Sequence, residues 1–79
     1  MSHDEGVMYA LIKNLRYQDH TRRYSIATTP TGWEVREEVD SEVVRKEQYQ
    51  DWHRVERARR AITTRMQDLR QQGWAEAES

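Results

Sequence analysis

The chain has 79 residues, a formal net charge of −1 at pH 7, 34% charged side chains and no cysteine. A chain of that length holds one domain and buries only about 60% of the surface it exposes when unfolded, so a few large side chains must carry the core. Lacking cysteine, it has no disulfide, thiol nucleophile or cysteine-ligated metal, and a cytoplasmic setting is expected.

A hydrophobic fraction of 35% beside so many charges leans toward disorder. Three features oppose that lean: opposite charges nearly cancel, proline occurs once, and the apolar residues are periodic. We therefore expect a folded domain. The sequence pI of 6.3 argues against a uniformly basic nucleic-acid binder, since such domains commonly lie above a pI of about 9. No apolar stretch approaches the ~20 residues of a membrane span. The first 15 residues lack the basic start and long apolar run of a signal peptide.

In chain order, residues 1–6 (MSHDEG) are expected to form a flexible tail, followed by a single domain over residues 7–75 and a second tail over residues 76–79. Residues 7–15 (VMYALIKNL) fit two patterns. Val7, Leu11 and Leu15 make a helical stripe, while Met8, Ala10 and Ile12 alternate with Tyr9, Leu11 and Lys13 as in a strand. A strand is predicted, because the strands that follow need an edge partner. Residues 16–21 form a polar turn in which Asp19 and Thr21 are suited to local backbone bonding.

Residues 22–29 put Tyr24 and Ile26 on one face of a strand, and Pro30 to Gly32 supply turn chemistry. Residues 33–39 alternate, with Trp33, Val35 and Val39 against Glu34, Arg36 and Glu38, the pattern of a half-buried antiparallel strand. A turn at residues 40–42 returns the chain as a strand over residues 43–49.

Asp51 then provides an N-cap acceptor for a long helix. At 100° per residue, Trp52, Val55, Ala58, Ile62, Met66 and Leu69 gather on one face. Gly73 suits the left-handed stop, and Trp74 is the apolar residue that folds back over the last turn. The predicted fold is α+β: a three- or four-stranded antiparallel meander packed against one long C-terminal helix. Tyr24, Ile26, Trp33, Val35, Trp52, Val55, Ile62, Met66 and Leu69 should form the core, with Trp74 closing its end. Trp52→Ala is then expected to cost ~3–5 kcal/mol.

The helix carries six arginines. On the wheel Arg54 and Arg65 flank one side of the apolar stripe, Arg59 and Arg70 the other, and Arg57 and Arg60 lie behind. Glu56 with Arg60 and Asp68 with Arg65 have pairing distance along a helix, at ~0.2–0.5 kcal/mol each. One reading makes these arginines a solvated frame around a core face, their stems laid on the sheet. The other makes Arg54, Arg57, Arg60 and Arg65 a binding surface for nucleic acid or another partner. Residues 34–47 carry six acids and the helix six arginines. An acidic hairpin and a basic helix would orient either a phosphate backbone or a second copy of the chain.

Other constellations point away from chemistry. His3, His20 and His53 have no metal-ligand spacing. Ser2, Ser25 and Ser41 lie in no nucleophile elbow, and the three glycines are isolated. The carboxylates of residues 37–42 read as a solvated hairpin face. Tyr9, Tyr17, Tyr24 and Tyr49 do not cluster as a base-stacking platform, since Tyr24 shares its face with Ile26.

From residue 22 onward the order of parts resembles the WGR domain, a small sheet-plus-helix module. "RRY", "WEV" and "EVVRKEQY" open or form successive strands, and "DLRQQGWAEA" is similar to that family's helix ending in basic residues, glycine and an aromatic. The resemblance implies the architecture. In that family the module contributes to nucleic-acid binding, often beside a catalytic domain. The naming Trp-Gly-Arg triplet is absent: Trp33 follows Gly32 and precedes Glu34, and the strand where the triplet would fall reads "VVRKEQY". No binding residue is carried over. The functional expectation is a small non-enzymatic cytoplasmic interaction module, with a protein partner or a second copy of itself and no cofactor; the alternative is nucleic-acid binding through the arginine-rich helix.

Overall fold

The polar turns read in the sequence separate four successive strands in the computed structural model, which describes residues 8–77. These are β1 (Tyr9–Tyr17), β2 (His20–Thr29), β3 (Gly32–Val39) and β4 (Glu42–Tyr49). The helix α1 (Trp52–Gln71) and a short β5 (Ala75–Ala77) complete the order. The sheet is antiparallel throughout, in the order β4-β3-β2-β1-β5, so the chain returns after the helix to lie beside its first strand. The α+β class and the meander are as the patterning implied. The expected tail at residues 1–6 lies outside the described residues.

The fifth strand corrects the sequence reading, which ended the domain at residue 75 and left the following residues as a tail. "AEA" has no apolar alternation to announce a strand. What makes it one is the free edge of β1, whose Asn14, Leu15 and Arg16 pair with Ala77, Glu76 and Ala75. Glu76 then sits between Lys13, at 3.1 Å, and Arg70 of α1.

The turns are tight. Asp40 and Ser41 both adopt positive φ, 52° and 71°, the handedness that matches a two-residue hairpin turn to strand twist. Asp40 is held in place because its carboxylate accepts from the Thr21 N–H at 3.0 Å and its own N–H donates to the Thr21 carbonyl at 2.9 Å. Thr21 thus bonds across to the second hairpin, not within its own turn as expected. At the other end of that hairpin, a Cβ on Gly32 would lie 2.2 Å from the Tyr49 carbonyl oxygen, so only glycine fits.

Opposed residues of antiparallel strands share a face. One face, carrying Leu15, Tyr24, Ile26 and Val35, meets Val55, Ile62, Met66 and Leu69 of α1 to form the buried core. The Asp51 carboxylate caps α1 by accepting the His53 N–H at 3.0 Å. At the C-terminus Gly73 takes φ 111°, its N–H reaches the Arg70 carbonyl, and the Trp74 N–H reaches that of Leu69. Start and stop are those the capping residues dictate.

Two expectations for the core need correction. Trp52 remains 39% exposed and Trp33 half-buried. Their rings meet at 5.1 Å, tilted by 57°, beside Tyr49, which is opposite Trp33 in the sheet. At the far end Trp74 packs against Tyr17 at 5.6 Å and under the Arg22 guanidinium at 5.2 Å. One sheet and one helix enclose a single layer of side chains, which suits Leu, Ile and Val. An indole is too large to vanish into that layer and closes its ends instead. The residue overlooked was Leu15, 1% exposed. A bulge at Ala10 shifts β1 by one residue, so the strand alternation read in the sequence breaks register at that point.

Candidate functional site

The sequence reading singled out Arg54, Arg57, Arg60 and Arg65, and all four are exposed on α1. Helical spacing places Arg54, Arg57 and Arg65 within about 80° of one another; Arg54 and Arg65 border the side that overlooks β4, and Arg57 lies next to them toward the back of the helix. Arg54 lines a hollow with Gln48, Tyr49 and Asp51, and Arg65 lines a cleft of about 220 Å³ with Tyr24, Glu37, Arg45 and Ile62. Arg60 points away from this side. The structure therefore brings together three of the four and leaves the fourth behind.

It adds Arg45. β4 turns Arg45, Glu47 and Tyr49 toward the helix layer, because they are opposite Glu37, Val35 and Trp33. The i, i+2 alternation of those residues was the available signal, but the second valine of "VVRK" is bulged out at the Glu37/Glu38 shift and obscures it.

The charges are distributed unequally between satisfied and free. Of the six acids in residues 34–47, four are engaged. Glu34 meets Arg36 at 3.2 Å and Lys46 at 3.9 Å, and Glu37 meets Arg22 at 3.1 Å. Asp40 meets His20 at 3.2 Å, and Glu47 meets Arg45 at 3.4 Å. On α1, only Arg70 is paired among the described residues; Arg54, Arg57, Arg59, Arg60 and Arg65 have no carboxylate partner there. The two helical pairs anticipated in the sequence, Glu56 with Arg60 and Asp68 with Arg65, do not close.

Several ionisable groups are shifted. The backbone N–H of Thr21, then the His20 ring, hold Asp40 below the usual carboxylate range. The Tyr49 hydroxyl, then Arg45, do the same to Glu47, and that hydrogen bond raises Tyr49 in turn. Lys13 lowers Glu76. Burial raises Tyr24, reinforced by the Glu37 charge, to which its hydroxyl donates at 3.2 Å. Each of these shifts has a cause in the packing and hydrogen bonding of the fold. Among the described residues, no three His, Asp or Glu side chains gather as a metal cluster, and no helix is long and apolar enough to cross a membrane.

No protein-family model, curated protein or solved structure matches this chain.

Proposed function

We propose that this chain is a non-enzymatic interaction module whose docking surface is the β4-facing side of α1, and that the partner is nucleic acid held by its phosphates. The observation that carries this reading is the asymmetry of pairing: three hairpin acids meet arginine or lysine within the fold and a fourth, Asp40, is hydrogen-bonded by His20 and Thr21, while five helix arginines have no carboxylate partner among the described residues. The net charge of −1 therefore understates the positive potential of one face. Arg54, Arg57, Arg65 and Arg45 are the residues assigned to it. The sequence resemblance to the WGR domain, with its nucleic-acid role, agrees with this direction. The cysteine-free sequence supports a cytoplasmic setting.

Self-association through opposite charges was the other expectation. Intramolecular pairing leaves Glu38 and Glu42 as the free acids of the hairpin among the described residues, a weak counterpart for five arginines. The test is binding of a fluorescent DNA or RNA duplex as salt is raised. Three or four phosphate contacts predict a log–log slope near −3, because each releases about 0.9 counterion on a duplex. Arg57→Ala should reduce the slope by about 1. No binding at low salt, or a slope unchanged in Arg57→Ala, would refute the assignment and favour a protein partner.

A further inference from the structure

Among the described residues no element covers the sheet face away from α1, and two hollows on it meet at Arg23 and Glu38. The larger potential site, about 350 Å³, is lined by Asn14, Arg16, Thr21, Arg23, Glu38 and Ser41. Strand register explains the gathering: Arg23 of β2 has Asn14 of β1 on one side and Glu38 of β3 on the other, and Arg16 is opposite Thr21. β5 adds only methyl groups there, since Ala75 and Ala77 are opposite Arg16 and Asn14. The late strand thus walls the hollow without filling it.

The charges in this hollow are uncommitted. Among the described residues, Arg16, Arg23 and Glu38 take part in no ion pair, although Arg23 and Glu38 are cross-strand neighbours. Arg22, between the two sheet arginines, is by contrast engaged on the helix side by Glu37 and Trp74. Two guanidinium forks suit a carboxylate or phosphate, and the amide of Asn14 and the hydroxyls of Thr21 and Ser41 supply neutral donors. Glu38 on the same wall repels a bare dianion and accepts from a cation.

We propose that this hollow binds a small zwitterion, its carboxylate or phosphate head on Arg16 and Arg23 and its amine on Glu38. The site is separate from the arginine side of α1 and stands or falls independently of it. It is tested by amide-resolved NMR titration at low salt with O-phosphoethanolamine and with γ-aminobutyrate, beside inorganic phosphate and acetate as amine-free counterparts. Saturable shifts at Asn14, Thr21, Arg23 and Ser41 are expected, and the tighter of the two zwitterions identifies the head group. Arg23→Ala should weaken binding about tenfold, ~1.4 kcal/mol. Arg23 is exposed, so the variant should keep the amide spectrum of the folded protein. Glu38→Gln should abolish the preference for amine-bearing over amine-free probes. Non-saturating shifts, binding indifferent to Arg23→Ala, or shifts lost instead in Arg57→Ala would overturn the site. A preference that persists in Glu38→Gln would overturn the zwitterion assignment.

Discussion

Trp52 keeps 39% of its surface in water while Leu15 keeps 1%, and the energetic ranking of the two side chains follows that contrast. Removing Leu15 empties a fully enclosed position between β1 and α1, and such a change costs ~2–5 kcal/mol. Removing Trp52 loses its tilted ring contact with Trp33 and part of its apolar burial, about 1–2 kcal/mol. Leu15→Ala should therefore lower the urea midpoint more than Trp52→Ala, reversing the order that size alone suggests. The opposite order in paired melts would mean that the indoles are core after all. Gly73 makes a second residue-scale case, because its φ of 111° is one side chains avoid, and a Cβ there would lie 2.9 Å from the Tyr17 ring.

At the scale of elements, that glycine governs β5. The turn it makes carries the chain from α1 into a three-residue strand, tied down by Glu76 and by the Trp74–Tyr17 contact. Gly73→Ala should destabilise the domain by about 1–2 kcal/mol. Amides of Ala75–Ala77 should exchange faster than those of β2 by more than the global loss explains. Uniform acceleration would show that β5 opens only with the whole fold. At the other edge, β4 is protected by its own charges. A two-fold axis through Arg45, Lys46 or Glu47 places that residue opposite its copy, and the bulge at Val44 breaks regular pairing beyond. The exposed Val43 and Val44 thus lie on an edge that resists pairing with its own copy.

At the scale of the whole molecule, the ionic shifts set the pH range of stability. Asp40, Glu47 and Glu76 are lowered in the folded state. Their contribution is therefore complete above the ordinary carboxylate range and is lost as pH falls through their folded values, below about pH 4. Tyr24 and Tyr49 are raised, so stability is complete below the ordinary tyrosine value of about 10 and declines as pH rises past it. Thermal melts should give a plateau at intermediate pH with losses on both sides, and Asp40→Asn should shrink the acid-side loss. An acid limb identical in that variant would remove Asp40 from the account.

The sequence by itself determined the local elements wherever period and punctuation agreed. Alternation in residues 33–39 made β3, and Asp51, the apolar stripe and Gly73 bounded α1, because capping and amphipathicity act within a few residues. Part of the arginine surface was also legible, since 100° per residue places Arg54 and Arg65 on one flank of the apolar stripe without knowledge of the sheet. Tertiary structure decided what depends on neighbours distant in sequence. It made a strand of residues 75–77, because β1 offered an unpaired edge to a segment with no strand pattern of its own. It displaced the tryptophans from the centre, because one sheet and one helix leave a layer too thin for an indole. And it separated paired charges from free ones, since Glu37 meets Arg22 from 15 residues away, through a cross-strand register that composition does not contain.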